Sequence, residues 1–334
     1  MADLRTSVTE LITGLGMLEY ETLDSALAAR PAQMVSVAPE QWSQLEGAYQ
    51  GGALRNEFHA AFENGRAFLY ASDGLRGRHP KVIEWKGAQI NPGDEALPVD
   101  LRVDHVYLIS CKYLSKILHN AAPTRVFDHS LRTTATSRSL DWFSETAPLE
   151  YQALYEETVN TCGALGLPAK VTELTPRERS LLRASYPRQW PGAVENRYSE
   201  LCCVIARESA SRWSRHLVTP SEREKCLWRL LRFGPAPYFV LGSSKSDVLR
   251  FRIATPWDWR QLFDLREFVV EPKAGGQPMV SWRAWVRNRH TNGIVEVDGH
   301  VEIRWSHGRF GGMPEAKVYL DTPHDRIPGY FRLT

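Results

Sequence analysis

Asp100-Leu-Arg-Val-Asp-His-Val-Tyr-Leu-Ile-Ser-Cys-Lys112 joins a strand-forming apolar run to charged side chains that no core requires. The run Val106 to Ile109 ends on Ser110, Cys111 and Lys112. Alternate residues of a strand share a face, so Ser110 and Lys112 point one way and Cys111 the other. A lysine carried to the end of a buried strand beside acids is costly unless it is paired or used. On one straight strand Asp100 and Lys112 would stand about 40 Å apart, and Asp104 and Lys112 about 27 Å, at roughly 3.3 Å per residue. A shared site therefore demands that the chain fold back near Asp104-His105, where Asp104 is the turn former. Asp100 then opens one strand while Ser110 and Lys112 close its neighbour.

Working outward, strand-like runs at Ala67 to Ala71, Lys81 to Trp85, Leu101 to Val103 and Val106 to Ile109 predict an antiparallel meander. Glu84-Trp-Lys86 is a second acid-x-lysine at a strand end, and pairing of that strand with the one starting at Pro98 brings Glu84 beside Asp100. Upstream, Val8, Leu11, Ile12, Leu15, Leu18, Leu23 and Leu27 follow helical spacing in two short helices. A further helical stretch from about Pro39 is interrupted at Gly51-Gly52 and stops at Asn64-Gly65, with Glu57 positioned to approach the sheet rim. After Lys112 the spacing of Leu114, Ile117 and Leu118 predicts a short helix ending at Asn120.

The 334-residue chain is 43% hydrophobic and 24% charged, the composition of a folded protein with room for two domains. Its formal charge is only +2, from 41 basic and 39 acidic residues, so a polyanion site has to be a local patch. The five cysteines include no CxxC pair and read as core residues in a reducing compartment. With no apolar run near the roughly 18 residues of a membrane helix and no basic-then-apolar leader, a cytoplasmic protein is expected. Helical patterns dominate from 148 to 235, rich in arginine, and strand patterns from 236 to 334, with the change near Phe233-Gly-Pro-Ala-Pro237.

Pro98-Val-Asp100 followed by Ser110-Cys-Lys112 resembles the PD-(D/E)XK nuclease superfamily, whose small sheet carries an aspartate on one strand and an acid-x-lysine on the next. Serine stands where that family usually has glutamate or aspartate. The resemblance implies an α+β or α/β, restriction-endonuclease-like core over residues 1–147, followed by a helical segment (148–235) and a β-rich domain (236–334). It implies a metal-dependent endonuclease acting on DNA, in restriction or anti-phage defence, with Mg²⁺ or Mn²⁺ as cofactor. The catalytic set is then Glu84, Asp100, Asp104, Ser110 and Lys112, with Glu57, Glu84 and Asp100 holding the metal. A homodimer or a complex with other defence proteins is the partner arrangement such an enzyme takes. The rival reading keeps the scaffold without the chemistry, as a nucleic-acid-binding or complex-forming subunit.

Nucleic-acid contacts are expected from Arg76 and Arg78 in the glycine-punctuated loop Ser72 to Pro80, and from Lys116 and Asn120 beyond the motif. Downstream, Arg304, His307 and Arg309 close the strand Gly299 to Trp305, ahead of a third acid-x-lysine, Glu315-Ala-Lys317. Solvated ion pairs and half-buried strands account for the same patterns without chemistry. The histidines lack zinc spacing, and there is no P-loop, dinucleotide fingerprint or GxSxG elbow.

Overall fold

The computed structural model describes residues 4–87, 97–113, 117–132, 141–163, 166–185, 189–243 and 248–334. The fold is mixed α+β in two units, each drawn from separated stretches of chain. One comprises Met1–Lys116, Phe233–Leu262 and His324–Thr334, the other Ile117–Arg232 and Phe263–Pro323. Among the described residues no helix is long and apolar enough to cross a membrane.

In chain order the first unit begins with α1 (Leu4–Gly16), α2 (Leu23–Ala29), β1 (Met34–Val35), α3 (Pro39–Gln50) and α4 (Arg55–Tyr70). The meander β2 (Ile83–Trp85), β3 (Leu101–Val103) and β4 (Tyr107–Tyr113) follows. The second unit takes β5 (Ile117–Ala121), α5 (Pro123–Phe127), α6 (Trp142–Thr146), α7 (Pro148–Cys162), α8 (Pro176–Ser185), α9 (Gly192–His216) and α10 (Pro220–Leu230). The chain returns to the first unit for β6 (Tyr238–Ser243), β7 (Val248–Ile253) and α11 (Pro256–Leu262). Strands β8 (Phe263–Ala274), β9 (Pro278–Asn288), β10 (Ile294–Trp305) and β11 (Pro314–Leu320) belong to the second unit, and β12 (Tyr330–Arg332) to the first.

The first sheet runs β1-β2-β3-β4-β6-β7-β12. Strand β6 lies parallel to β4, with Lys112 opposite Gly242, and parallel neighbours require a long crossover. Residues 117–232 form that crossover and fold as part of the other unit. The linear division at 147 and 235 differs from this arrangement for that reason: the strands after 236 are shared between the two sheets. Only the change near Phe233 coincides with a unit boundary.

Helices α1 and α4 cover one face of the sheet, where Leu11, Ile12, Leu15, Phe58 and Phe68 join Ile83, Trp85, Leu101, Val103 and Ile109 in one core. Burying each of these side chains contributes roughly 1.5–3 kcal/mol. The two helix backbones touch. A Cβ at Gly16 would stand 2.1 Å from the carbonyl oxygen of Phe62, and one at Gly65 2.1 Å from that of Thr13. Gly65 is therefore a crossing point and not a helix stop. Helix α4 runs on to Tyr70, so the expected strand Ala67 to Ala71 is its last turn.

Strands β3 and β4 fold back as the sequence predicts, pairing Leu101 with Ile109 and Val103 with Tyr107. The turn residues are both left-handed, Asp104 at φ 48° and His105 at φ 58°. This is the geometry that tight hairpins favour and that non-glycine residues resist.

In the second unit the sheet β5-β11-β10-β9-β8 is antiparallel throughout. Its β5 occupies the place where a helix ending at Asn120 was expected, with Asn120 opposite Lys317. Helix α9 packs on β8 and β9, burying Leu201, Ile205 and Trp213. Three arginines of the helical stretch have structural partners within this unit. Arg212 pairs with Asp128 and Glu145 over the Trp142 ring, and Arg229 and Arg232 donate to the carbonyl oxygens of Ser130 and Leu118.

Candidate functional site

The fold-back places Asp100 opposite Ser110, and the carboxylate of Asp100 is fixed from the neighbouring strand. Its Oδ2 accepts from the Cys111 backbone N–H at 2.6 Å and from the Ser110 hydroxyl at 3.3 Å. Ser110 is fully buried, so it positions Asp100 and does not face the cavity. That cavity, about 220 Å³, is lined by Asp100, Cys111, Lys112 and Tyr113 from the sheet and by Arg5, Thr6, Thr9 and Glu10 from α1. Asp100 and Lys112, 12 positions apart in sequence, meet in it.

Glu10 is the residue that sequence reasoning missed. It lies on a helix buried on nearly every side, between Thr9 and Leu11, and is itself only 7% exposed. Its Oε2 accepts from the Trp85 indole N–H at 2.6 Å. Burial, and then repulsion from Asp100, raise its carboxyl to about 8, against smaller lowering effects of the Trp85 bond and the Lys112 charge. The available signal was a lone charge in a helical run that is otherwise uncharged from Thr6 to Leu18. Burial, Asp100 and Glu10 also push the Cys111 thiol up, which leaves it protonated and unsuited as nucleophile or ligand.

Glu57 reaches the margin of this site without joining the two carboxylates. It is buried on α4 and pairs with Arg5 at 3.2 Å, while its charge, after burial itself, raises the Tyr113 hydroxyl. Glu84 belongs to a different cluster. Although the backbone of Lys86 bonds the Asp100 carbonyl at 3.0 Å, as pairing of β2 with β3 requires, the Glu84 carboxylate is held by Arg102 at 2.5 Å and by Lys86 at 4.0 Å. The expected gathering of Glu57, Glu84 and Asp100 is replaced by Glu10 with Asp100. Among the described residues, no group of three or more His, Cys, Asp or Glu side chains is placed to hold a metal ion. Glu10, buried, and Asp100, half-buried, repel each other and still fit Mg²⁺, which takes one or two protein carboxylates and keeps several waters.

Asp104 lies at the turn, the opposite end of the ribbon from Lys112. Its Oδ1 accepts from the backbone N–H groups of Lys81 at 2.7 Å and Val82 at 3.2 Å, and its Oδ2 pairs with Arg78 at 2.9 Å. It is a turn-fixing residue, contrary to the catalytic role expected of it. Asp104→Ala is expected to lower stability by ~1–3 kcal/mol, because two backbone donors lose their acceptor. The drop should appear as a lower urea midpoint, with no change in any chemistry of the Asp100 cavity.

Of the expected nucleic-acid contacts, Arg78 is engaged by Asp104, and Arg76 donates to the Ser72 carbonyl in a left-handed turn. Lys116 lies outside the described residues. Asn120 donates to Glu315 at 3.2 Å. On β10 and β11 the registers Arg304 to Glu315 and Glu302 to Lys317 form a cross-strand charge ladder, which explains the third acid-x-lysine. His307 is exposed just past β10. Arg304 and Arg309 line a second cavity, of about 760 Å³, within the second unit. Trp259 and Trp282 are core residues.

No family model, curated protein or solved structure matches the chain.

Proposed function

We propose that the chain is a metal-dependent phosphodiesterase acting on DNA, with the cavity between α1 and the ends of β3 and β4 as its active site. The observation that carries this reading is the meeting of Asp100, Lys112 and Glu10 in one cavity. The motif resembles the PD-(D/E)XK superfamily, and the aspartate on one strand with the lysine on the next supports it. Asp100 and Glu10 would hold Mg²⁺ or Mn²⁺. When bound, the ion supplies Lewis acidity toward a phosphate and acidifies water. The Cys111 amide and the Ser110 hydroxyl keep Asp100 oriented. The Lys112 ammonium stabilises the negative charge that develops on the phosphate. Restriction or anti-phage defence in the cytoplasm is the setting that the resemblance suggests, as a homodimer or with other defence proteins.

The buried Ser110, in place of a third acid, favours a second reading: a DNA-binding or complex-forming subunit without cleavage. One assay separates the two. Purified protein is incubated with plasmid, modified phage DNA and RNA in Mg²⁺, Mn²⁺ or chelator, and its binding to the same DNA is measured at several salt concentrations. DNA cleavage that chelator abolishes is the expected outcome. Salt-sensitive binding with no cleavage in either metal selects the second reading.

A further inference from the structure

The second unit contains the larger cavity, about 760 Å³, within the range of sites for small molecules and cofactors. It is independent of the Asp100 site. Its wall holds Trp190, Tyr198 and Trp305. The Tyr198 ring stacks on Trp305 at 6.2 Å and 21°, and Trp190 leans on Tyr198 at 5.5 Å. These contacts fix the rings, so a planar ligand meets a surface already ordered.

Three cations line the same space. The Arg309 guanidinium lies 4.1 Å from the centre of the Trp190 ring, which orients it. Arg304 and Lys317 come from adjacent strands on the polar face of the sheet. With Arg304 opposite Glu315 and Lys317 opposite Glu302, the two are diagonal neighbours, a separation of roughly 7–8 Å. Their carboxylate contacts are long, 3.9 Å from Arg304 to Glu302 and 3.8 Å from Lys317 to Glu315. Charge-assisted hydrogen bonds from such groups to a phosphate are typically about 2.7–2.9 Å long, so an incoming phosphate makes the closer contact. Glu195 is the acid among the lining residues, against three cations.

The remaining lining is polar and narrow-bodied. Ser199 and Ser306 supply hydroxyls, and Gly275, Gly276 and Gly308 leave room for close approach. Gln277 brings a buried carbonyl oxygen that has no hydrogen-bond partner among the described residues. An acceptor of this kind suits an amino or imino donor on a heterocyclic base, and the cost of leaving it unpaired gives such a ligand an advantage.

We infer that this cavity binds a single nucleotide, its base against the Trp190 and Tyr198 rings and its phosphate on Arg304, Arg309 and Lys317. The shared chemistry covers a free mononucleotide and one unstacked nucleotide of a single strand. Duplex DNA, whose bases are stacked and paired, does not present that chemistry.

The test uses the full chain in chelator, so that no cleavage intervenes and the result does not depend on the proposed nuclease activity. Titration calorimetry and tryptophan fluorescence compare the four 5′-deoxynucleoside monophosphates, the matching nucleosides, orthophosphate and a short single-stranded oligonucleotide. A nucleotide is expected to bind at least tenfold more tightly than its nucleoside or orthophosphate. Tighter binding of the oligonucleotide assigns the site to single strands, and tighter binding of the monophosphate to the free ligand. Trp190→Ala and Arg309→Ala should each weaken binding about tenfold or more. Arg304→Glu, at a half-exposed strand end, does the same without touching the aromatic wall. Circular dichroism checks that each variant is folded. Absence of binding by every probe, affinity for orthophosphate equal to that for nucleotides, or undiminished binding by folded Arg304→Glu overturns the inference.

Discussion

Lys112→Ala is expected to reduce Mg²⁺-dependent cleavage of plasmid DNA by about 10²-fold or more, the usual loss when one preorganised charge is removed from a site where negative charge develops. The physical ground is placement. Lys112 shares a cavity with Asp100 and Glu10, and its charge is felt by Glu10. Asp100→Asn should act differently. It keeps the shape and one acceptor for the Cys111 N–H, but removes half of the anionic charge offered to a cation. Its activity should fall by a similar factor at low Mg²⁺ and recover in part at high Mg²⁺, whereas Lys112→Ala should not recover. A single-turnover assay across Mg²⁺ concentrations reads both. Full activity of folded Lys112→Ala would remove the lysine from the chemistry, and with it the ground for placing the active site in this cavity.

How far the sequence could lead depended on the kind of constraint. The hairpin joining Asp100 to Lys112 was legible because charge placement and strand alternation together demanded a reversal, and Asp104 was there to make it. The role of Asp104 was not legible. A carboxylate that caps a turn and one that binds a metal are the same residue in the sequence, and only its bonds to Lys81 and Val82 tell them apart. Gly65 was misread because glycine serves both to end helices and to let helices touch. The contact with Thr13, 52 positions away, decides between them. The strand Ile117–Ala121 was missed because three apolar positions cannot separate a period of 3.6 from a period of 2. Glu10 was overlooked for a related reason. Apolar periodicity directs attention to the residues that fit it, while this acid is notable for being buried where it does not.

The buried state of Glu10 also sets an expected pH dependence that does not require knowing the substrate. In the unfolded chain its carboxyl ionises near the ordinary value of 4.5, and in the folded protein near 8. Below about 4.5 both states carry the proton and the residue costs nothing. As pH rises from there to about 8, the unfolded state releases its proton first, so stability falls through that window and the full cost is present above it. At about 1.4 kcal/mol per pH unit, the window caps the cost at roughly 5 kcal/mol. Glu10→Gln keeps an acceptor for the Trp85 indole and removes the ionisation. In chelator it is expected to be more stable than the natural chain by on the order of a few kcal/mol at pH 9, and to differ little at pH 5. Urea midpoints across this range measure the gap. Mg²⁺ should narrow it at pH 8–9 by stabilising the natural chain alone, since a cation between Glu10 and Asp100 favours both as carboxylates. If the gap is the same at pH 5 and pH 9, the raised carboxyl is wrong. If the gap grows with pH but Mg²⁺ leaves it untouched, the pair does not hold a cation, and the proposed chemistry of the cavity falls with it.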